Sequence, residues 1–422
     1  MLGDEFLQYP HAFFFHGNQF LGDGSTFPFR GCHRMRLGAK SECGLHTDPN
    51  SITTINLHFL SHTLCKIRVL LLHDGPIEKF ALAVPGLRSA LCESEIDQII
   101  LHLPNRDLKT FELGFYVRDN QVMYKLHSAL FSCHQLNALD LCYCEFRQPS
   151  WFVGFGKLNI LHMRQVILPT DFFENFLGKC PNLQTLLVGD CVGPSNIEVV
   201  APRLQIFTFY GYLLQICFKH APLLQSLVID LHVRGQGVEK PVVDTAALFA
   251  SLPALQQFGL DFQLLQYFAP GNHVSAPIRL PAPLHRIQSV NISRVDLGSW
   301  EKVFAFACLI MSFPNLLYLR IQREASQQNH AVTNIGRMLL AVGGHRRGLG
   351  FCLQNLRVLD IQNCLATRSE RDVVRWVLAI APLLERVQLT SLQTLGFQTR
   401  FEFMKEVLMY PRASRKAVVL YN

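Results

Sequence analysis

The chain has 422 residues, of which 49% are hydrophobic and 17% are charged, and its formal net charge is +7. Because disordered chains and charged coiled coils need far more charge than this, both classes are excluded. The longest apolar candidate, residues 303–313, is shorter than the ~18 residues of a membrane helix. The N-terminus carries Asp4 and Glu5 instead of the basic start of a signal peptide. The length fits one long array or two to three domains.

Residues 1–66 mix glycine, histidine and phenylalanine, as in the stretch from Tyr9 to Asn50, without a helical or strand period. We therefore predict an atypical, poorly ordered N-terminal segment up to residue 66.

From residue 67 onward, a repeated pattern of the form apolar-x-x-apolar-x-apolar dominates the chain. Its copies begin at Leu108, Leu136, Leu158, Leu183, Leu204, Leu224, Leu255, Ile287, Leu316 and Leu356, with Leu383 one residue out of phase. The starts lie about 20–28 residues apart as far as Leu224 and about 28–40 apart afterwards, against a period of about 20–29 for leucine-rich repeats. Each copy predicts a short strand whose apolar side chains point into a core shared with the neighbouring repeats.

Helices are predicted between these strands at 171–179, 246–252, 302–312, 371–381 and 403–409. Several of them end at a proline two residues before the next strand, as at Pro181, Pro314 and Pro382. The predicted fold is an α/β leucine-rich-repeat solenoid, with parallel strands on the concave face and helices or irregular segments outside. We expect the repeat array over 67–345 and further repeats over 346–422. An ordinary α/β fold is the alternative, but the chain lacks the glycine-rich turn G-x-G-x-x-G.

The charge distribution and the cysteines indicate which partners and which cellular compartment to expect. Residues 1–211 have a net charge of −2 and residues 212–422 one of +9, but the arginines of the second half are scattered. Nucleic acid is therefore an unlikely partner, because nucleic-acid binders concentrate basic residues on one face. Of thirteen cysteines, Cys180, Cys217, Cys308 and Cys352 lie in apolar segments and are predicted to be buried free thiols. This usage indicates a reducing compartment, the cytosol or the nucleus.

No metal or catalytic site is expected. Neither Cys142 with Cys144 nor Cys32 and Cys43 with His46 has a second pair at zinc-binding spacing. Because no nucleophile elbow or metalloprotease motif is present, we predict a protein that is not an enzyme and has no cofactor.

Partner-binding residues are expected among the outward positions of the strands, which should line up in columns across the concave face. These positions are Asp140, His162, Arg164, Thr208, Tyr210, Asp230, Asp261, Asn291, Arg320, Gln322, Asp360, Gln362 and Gln388. For each one alone, a solvated strand residue is the simpler interpretation. Arg164 and Tyr210 are the preferred single contacts, because arginine and tyrosine are enriched among interface hot spots.

Several longer phrases carry a family resemblance. The segments RVLLLHDGPIEKFALAVPGL from Arg68, CESEIDQIILHL from Cys92 and FLGKCPNLQTLLVGDC from Phe176 resemble the repeats of plant F-box/LRR proteins. The ending MKEVLMYPRASRKAVVLY from Met404 is similar to the close of the FBD region of such proteins.

This resemblance implies a substrate receptor of an SCF-type cullin–RING ubiquitin ligase, which binds a target protein on its concave face. In that family an N-terminal F-box docks the adaptor subunit of the ligase, and residues 1–66 show no recognisable F-box. Adaptor binding is therefore expected only if an F-box is present. The alternative is a stand-alone leucine-rich-repeat module that is not coupled to ubiquitination. No membrane partner is expected.

Overall fold

A long parallel sheet is the main structural element of the protein. In the computed structural model, the described residues are 54–58, 75–84, 90–115, 123–231, 245–262, 284–295, 306, 309–323, 353–391 and 395–421. All of them belong to one compact unit, Thr47–Asn422. Within these ranges, fourteen strands form a single sheet in which every neighbouring pair is parallel.

Strands are numbered β1 to β18 in chain order. The large sheet consists of β1 (Thr54–His58), β2 (Lys79–Val84), β3 (Thr110–Phe115), β5 (Ala138–Cys142), β7 (Ile160–Arg164), β8 (Thr185–Gly189), β10 (Ile206–Gly211), β12 (Ser226–Leu231), β13 (Gln257–Asp261), β14 (Ser289–Val295), β15 (Tyr318–Arg323), β16 (Val358–Cys364), β17 (Arg386–Ser391) and β18 (Val418–Tyr421). Each of the eleven predicted repeat strands is present, which confirms the solenoid. Strands β1, β2 and β18 were not predicted, and β1 lies upstream of residue 67, where the array was expected to begin.

The core of the array is a ladder of apolar side chains that continues from strand to strand. Phe111, Leu139, Leu161 and Leu186 are buried in successive strands and are paired in register. The ladder continues through Phe207, Leu227, Phe258, Val290, Leu319, Leu359 and Val387. Burying one such side chain contributes about 1.5–3 kcal/mol. Because each strand shares this ladder with its two neighbours, the array is stable only when the repeats stack.

From β5 onward, each strand of the large sheet is preceded by a tight turn of one kind. The backbone N–H of Leu183 donates to the carbonyl of Cys180 at 3.1 Å, and Leu224 bonds to Ala221 in the same way at 3.2 Å. The prolines of the repeat occupy the second position of this turn, where their fixed φ is favourable. The prolines noted in the sequence at the ends of helices, such as Pro181 and Pro314, thus lie in the turns that lead into the strands.

Helices lie outside the sheet, and their bounds differ from the predictions at several places. The described helices are α1 (Ala90–His102), α2 (Thr245–Ala250), α3 (Arg368–Ile380) and α4 (Phe397–Leu408). Helix α4 begins six residues before the predicted start at 403. The predicted helix at 171–179 is instead a π-helical turn, Phe172–Phe176, followed by a 3-10 turn, Leu177–Lys179. The helix predicted at 302–312 and the boundary at 345 fall largely outside the described residues.

Two small parallel sheets flank the large one. Strand β4 (Tyr124–Lys125) pairs with β6 (Cys144–Glu145), and β9 (Asn196–Val200) pairs with β11 (Gln215–His220). In β11 the buried residues alternate with exposed ones, which leaves Cys217 exposed. The prediction that Cys217 is buried is therefore wrong, whereas Cys180 is buried as predicted. Cys308 and Cys352 lie outside the described residues.

Candidate functional site

The outward positions of the strands form continuous columns along one face of the sheet, here called the concave face. The central column is in register at every step and contains Glu112, Asp140, His162, Leu187, Thr208, Val228, Gly259, Asn291, Arg320, Asp360 and Gln388. Neighbouring strands of a sheet lie about 4.8 Å apart. These side chains therefore form a ridge that a partner can contact over many repeats.

A charge cluster occupies the early repeats of the face. Arg164 Nη2 donates to both carboxylate oxygens of Asp140, at 2.8 and 2.9 Å, and His162 Nδ1 lies 3.5 Å from Asp140 Oδ2. Burial raises the pKa of Asp140, but His162 and Arg164 together outweigh burial and hold this pKa below its ordinary value. Three predicted site residues are thus brought together, and they satisfy one another's charges.

Tyr210 of β10 packs beside this cluster, over Gly189 of the neighbouring strand β8. A Cβ added to Gly189 would lie 1.8 Å from the Tyr210 ring, so only glycine leaves room for the ring in its observed position. Burial raises the pKa of the Tyr210 hydroxyl above its ordinary value. Tyr210 is half-buried and lies in register with Gly189 and Asp230. Its ring therefore covers the concave face between two charge clusters.

The middle of the face is uncharged. Leu187 and Val228 are half-buried, and Thr208 between them is 6% exposed. A Cβ on the neighbouring Gly259 would approach the Val228 side chain to 3.0 Å, so this glycine gives the valine its space. Only polar outward residues were predicted as contacts, and Leu187 and Val228 were therefore missed. The strand alternation itself would have identified them, because they occupy the same phase as Asp140.

A second charge cluster lies beyond this uncharged middle. Arg294, with a left-handed backbone φ of 48°, directs its guanidinium to the carboxylates of Asp230 and Asp261 and to the carbonyl of Leu231 at 2.7 Å. The side chain of Asp261 is fully buried. Asp261 therefore positions Arg294 and does not itself reach a partner. Arg294 was not predicted, because its strand position follows a register shift after Ile292.

A third cluster forms in the later repeats. Asp360 Oδ2 accepts hydrogen bonds from Tyr318 Oη at 2.8 Å and from Arg320 Nε at 2.9 Å. Gln362 donates to the same oxygen at 3.4 Å. Asp360 is only 3% exposed, and burial raises the pKa of Tyr318 above its ordinary value. Arg320 and Tyr318 form the accessible part of the cluster, while Asp360 holds them in place.

The remaining predicted positions differ in what they can offer a partner. Asn291 and Gln388 are half-buried members of the central column. Thr208 and Gln322 are largely buried, at 6% and 9% exposed. These two residues contribute mainly to packing, and the accessible set is smaller than predicted.

Two other features, a metal site and a membrane span, concern the described part of the chain. There, no group of three histidine, cysteine or carboxylate side chains is placed to hold a metal ion. Cys142 and Cys144, the nearest to a metal pattern, are buried free thiols. Cys32, Cys43 and His46 lie outside the described residues. In the same described ranges, no helix has the length and apolar character needed to span a membrane.

Comparison with known proteins places this geometry in context. Residues 96–321 match the family model described as FBD-associated F-box protein At5g56370, LRR repeats. The F-box/FBD/LRR-repeat protein At1g13570 of Arabidopsis thaliana is 25% identical over 356 residues, 84% of this chain and 82% of the relative.

Solved structures give more distant likenesses. An internalin from Listeria monocytogenes is 12% identical, with a TM-score of 0.35 and coverage of 85% of this chain and 94% of the internalin. The LRR ectodomain of the Arabidopsis thaliana receptor kinase GASSHO1/SCHENGEN3, solved with CASPARIAN STRIP INTEGRITY FACTOR 2, is 11% identical. Its TM-score is 0.24, with coverage of 82% of this chain and 46% of the ectodomain. The family match spans just over half of the chain, including β3 to β14, which carry the first two charge clusters and the uncharged middle of the concave face.

Proposed function

Because the chain belongs to the plant F-box/FBD/LRR-repeat family, we propose that its concave face binds a target protein. The observation that carries the proposal is the uncharged middle of this face, formed by Leu187, Thr208 and Val228 between two internally paired charge clusters. A charged group of the target that approached either flanking cluster would have to compete with the ion pairs already formed there. The target therefore contributes uncharged side chains to the centre of the contact, where desolvated apolar anchors dominate binding energy.

The test of target binding compares wild type with Leu187→Glu and Val228→Glu by quantitative affinity enrichment from plant cells. The matched control is Leu223→Glu, which changes a 48% exposed leucine in the turn before β12, away from the concave face. We expect a set of proteins that both concave-face variants lose at least tenfold and that the control retains. Equal recovery with all four proteins would refute a concave binding site.

We further propose that the target is delivered to ubiquitination through an SCF-type ligase. The family membership supports this step, and the adaptor-docking region would have to lie outside the described residues. The chain itself performs no catalytic step in this proposal. It raises the rate for the complex by holding the target near the transfer machinery, which is a proximity effect.

Co-precipitation with the SCF adaptor subunit separates this proposal from its alternative. A known family member with an F-box serves as the positive control. Adaptor binding by the full chain supports the ligase role. If the control binds and this chain does not, the protein acts as a stand-alone repeat module that binds its target without ubiquitination.

We also propose a cytosolic or nuclear location. The seven cysteines whose side chains the structure describes are all free thiols, which supports a reducing compartment. Microscopy of a fluorescent fusion tests the proposal, and accumulation in the secretory pathway would contradict it.

A further inference from the structure

Among the described residues, strand β18 has a partner strand on one side only. Strand β18 pairs with β17 on one side, where Val418 N–H donates to the Glu385 carbonyl at 2.9 Å, and it ends the sheet in the described part of the chain. Alternate peptide groups of β18 therefore face away from β17. The strand contains no charged residue, and Val418 and Leu420 are 55% and 42% exposed. An uncharged edge of this kind is a template for adding another strand.

Helix α4 has an apolar stripe on the same end of the array. Its buried face carries Phe403 and Val407, and Glu406 reaches Arg371 of α3 at 3.3 Å. The stripe consists of Phe397, Phe401 and Leu408, whereas Met404 is half-buried and packs against the core. At 3.6 residues per turn, these positions fall on the side of α4 opposite the contacts with α3. In a solenoid, that side would pack against the helix of a following repeat.

The stripe is substantially exposed. Phe397, Phe401 and Leu408 are 81%, 56% and 52% exposed, and the two phenylalanine rings lie 6.4 Å apart. An exposed apolar stripe next to a strand edge that lacks a partner in the described residues marks an interaction surface. We call the outer edge of β18 and the stripe of α4 together the terminal surface.

The charges around the terminal surface are mostly positive. The cations are Arg386, the register partner of Val418, then Arg400 and Lys405 on α4, and Arg415 and Lys416 just before β18. The carboxylate closest in sequence to the stripe, Glu402, accepts a hydrogen bond from Gln398 at 2.8 Å. A second copy of the chain would bring two sets of cations together. Charge complementarity therefore favours an acidic partner over a second copy.

We propose that the terminal surface binds an extended segment of a partner protein in which apolar side chains alternate with carboxylates. The segment adds to the sheet as a strand beside β18, by the main-chain pairing used in β-strand addition. Successive side chains of a strand point to opposite faces. The apolar set then packs against the stripe of α4, which lies on the same helix as Arg400 and Lys405. The acidic set faces Arg386, which has the same strand phase as the outward Gln388 on the other face of the sheet. The terminal surface adjoins the end of the concave face, because Leu420 pairs with Gln388. It does not include Leu187, Thr208 or Val228, and it does not depend on the function proposed for them.

Fluorescence anisotropy with the full chain tests the proposal. The probe is a fluorescein-labelled eight-residue peptide in which glutamate alternates with valine and leucine. We expect saturable binding that weakens at least tenfold in Phe401→Ser and in Lys416→Glu. The matched control is Met409→Ser, because Met409 is 82% exposed just past the end of α4 and lies off the stripe. This control should bind the probe as wild type does.

Three results would overturn the proposal. The first is equal binding of a peptide that carries lysine in place of every glutamate. The second is equal loss of binding in Phe401→Ser and Met409→Ser, with each variant shown to be folded by circular dichroism. The third is a dimer in the absence of peptide, seen by light scattering as a particle of twice the 47.9 kDa chain mass, that Phe401→Ser converts to monomer. A second copy of the chain would then occupy the surface.

Discussion

Asp140 illustrates how single residues on the concave face are stabilised by their neighbours. Its carboxylate accepts from Arg164 and lies beside His162, and these groups hold the pKa of Asp140 below its ordinary value despite burial. A carboxylate whose pKa is lowered by folding contributes stability above the pKa of the unfolded chain, about 3.9 for aspartate. That contribution is lost as the pH falls through the folded pKa.

The lowered pKa of Asp140 leads to a first prediction, for Asp140→Asn. The variant should be less stable than wild type at neutral pH, and the difference in free energy of unfolding should shrink as the pH falls below about 4. Urea unfolding at a series of pH values measures it. Glu112→Gln is the control, because its pair with Lys79 is more exposed, and it should show a smaller difference at neutral pH. A difference for Asp140→Asn that stays constant down to pH 3 would contradict the assignment.

Thiol reactivity provides a second prediction at this scale. Burial raises the pKa of Cys133, Cys180 and Cys191 to about 12 in each case, whereas Cys217 is exposed. Because the thiolate is the reactive form, Cys217 should react with a maleimide much faster than the other three in the native protein. Mass spectrometry of labelled peptides over time measures the order, and unfolding in urea should abolish it. Faster labelling of Cys180 than of Cys217 would contradict the structure.

At the scale of elements, helix α3 is joined to the sheet by a buried carboxylate. Glu370 accepts from Arg323 of β15 at 3.1 Å and from the backbone N–H of Thr367 at 2.7 Å. Thr367 in turn accepts from the Glu370 N–H, which completes a capping box at the start of the helix. Both members of the ion pair are less than 10% exposed. One side chain therefore starts the helix and neutralises a buried arginine.

Glu370→Ala should consequently destabilise the protein by about 3–5 kcal/mol, because it leaves Arg323 as an uncompensated buried charge. The control is Glu385→Ala, whose pair with Arg357 is more than half exposed and should contribute at most about 1 kcal/mol. Chemical denaturation of both variants gives the comparison. Similar losses in the two variants would mean that the buried pair is not important for stability.

The strands were predictable from the sequence, while the ends of helices and the outer sheets were less so. The repeat pattern identifies eleven strands because each one has to place Leu or its equivalent in the same ladder. The capping box at Thr367 and Glu370 is a local signal that would have placed the start of α3 correctly. In α4, the exposed Phe397 and Phe401 lie on a second apolar face. They therefore obscured the helical spacing of the apolar residues, and the start of the helix was predicted too late. Among the described residues, strands β9 and β11 form a sheet of their own, so the main repeat pattern did not predict them.

The candidate site was predictable in its position and less so in its chemistry. The columns of the concave face follow from strand alternation, but side-chain pairing depends on distances that the sequence does not contain. Asp261 and Asp360 were expected as contacts and are instead buried supports for Arg294 and Arg320. Arg294 was missed because its role follows from a left-handed backbone position after a register shift.

For the whole molecule, the low charged fraction follows from the shared core. Each repeat places its leucines in a ladder common to its neighbours, and the charges of the concave face form internal pairs. The array thus presents two distinct surfaces in the described chain. One is the concave face with its uncharged middle, and the other is the basic and apolar terminal surface.

Hydroxyl-radical footprinting of the protein, alone and bound to its enriched target, tests the central claim most directly. This measurement reports the accessibility of individual side chains. We predict that the target protects Leu187 and Val228 and leaves Val153 and Leu223, which are 85% and 48% exposed away from the concave face, as reactive as in the free protein. Protection of Val153 or Leu223 with unchanged labelling of Leu187 and Val228 would contradict target binding on the concave face.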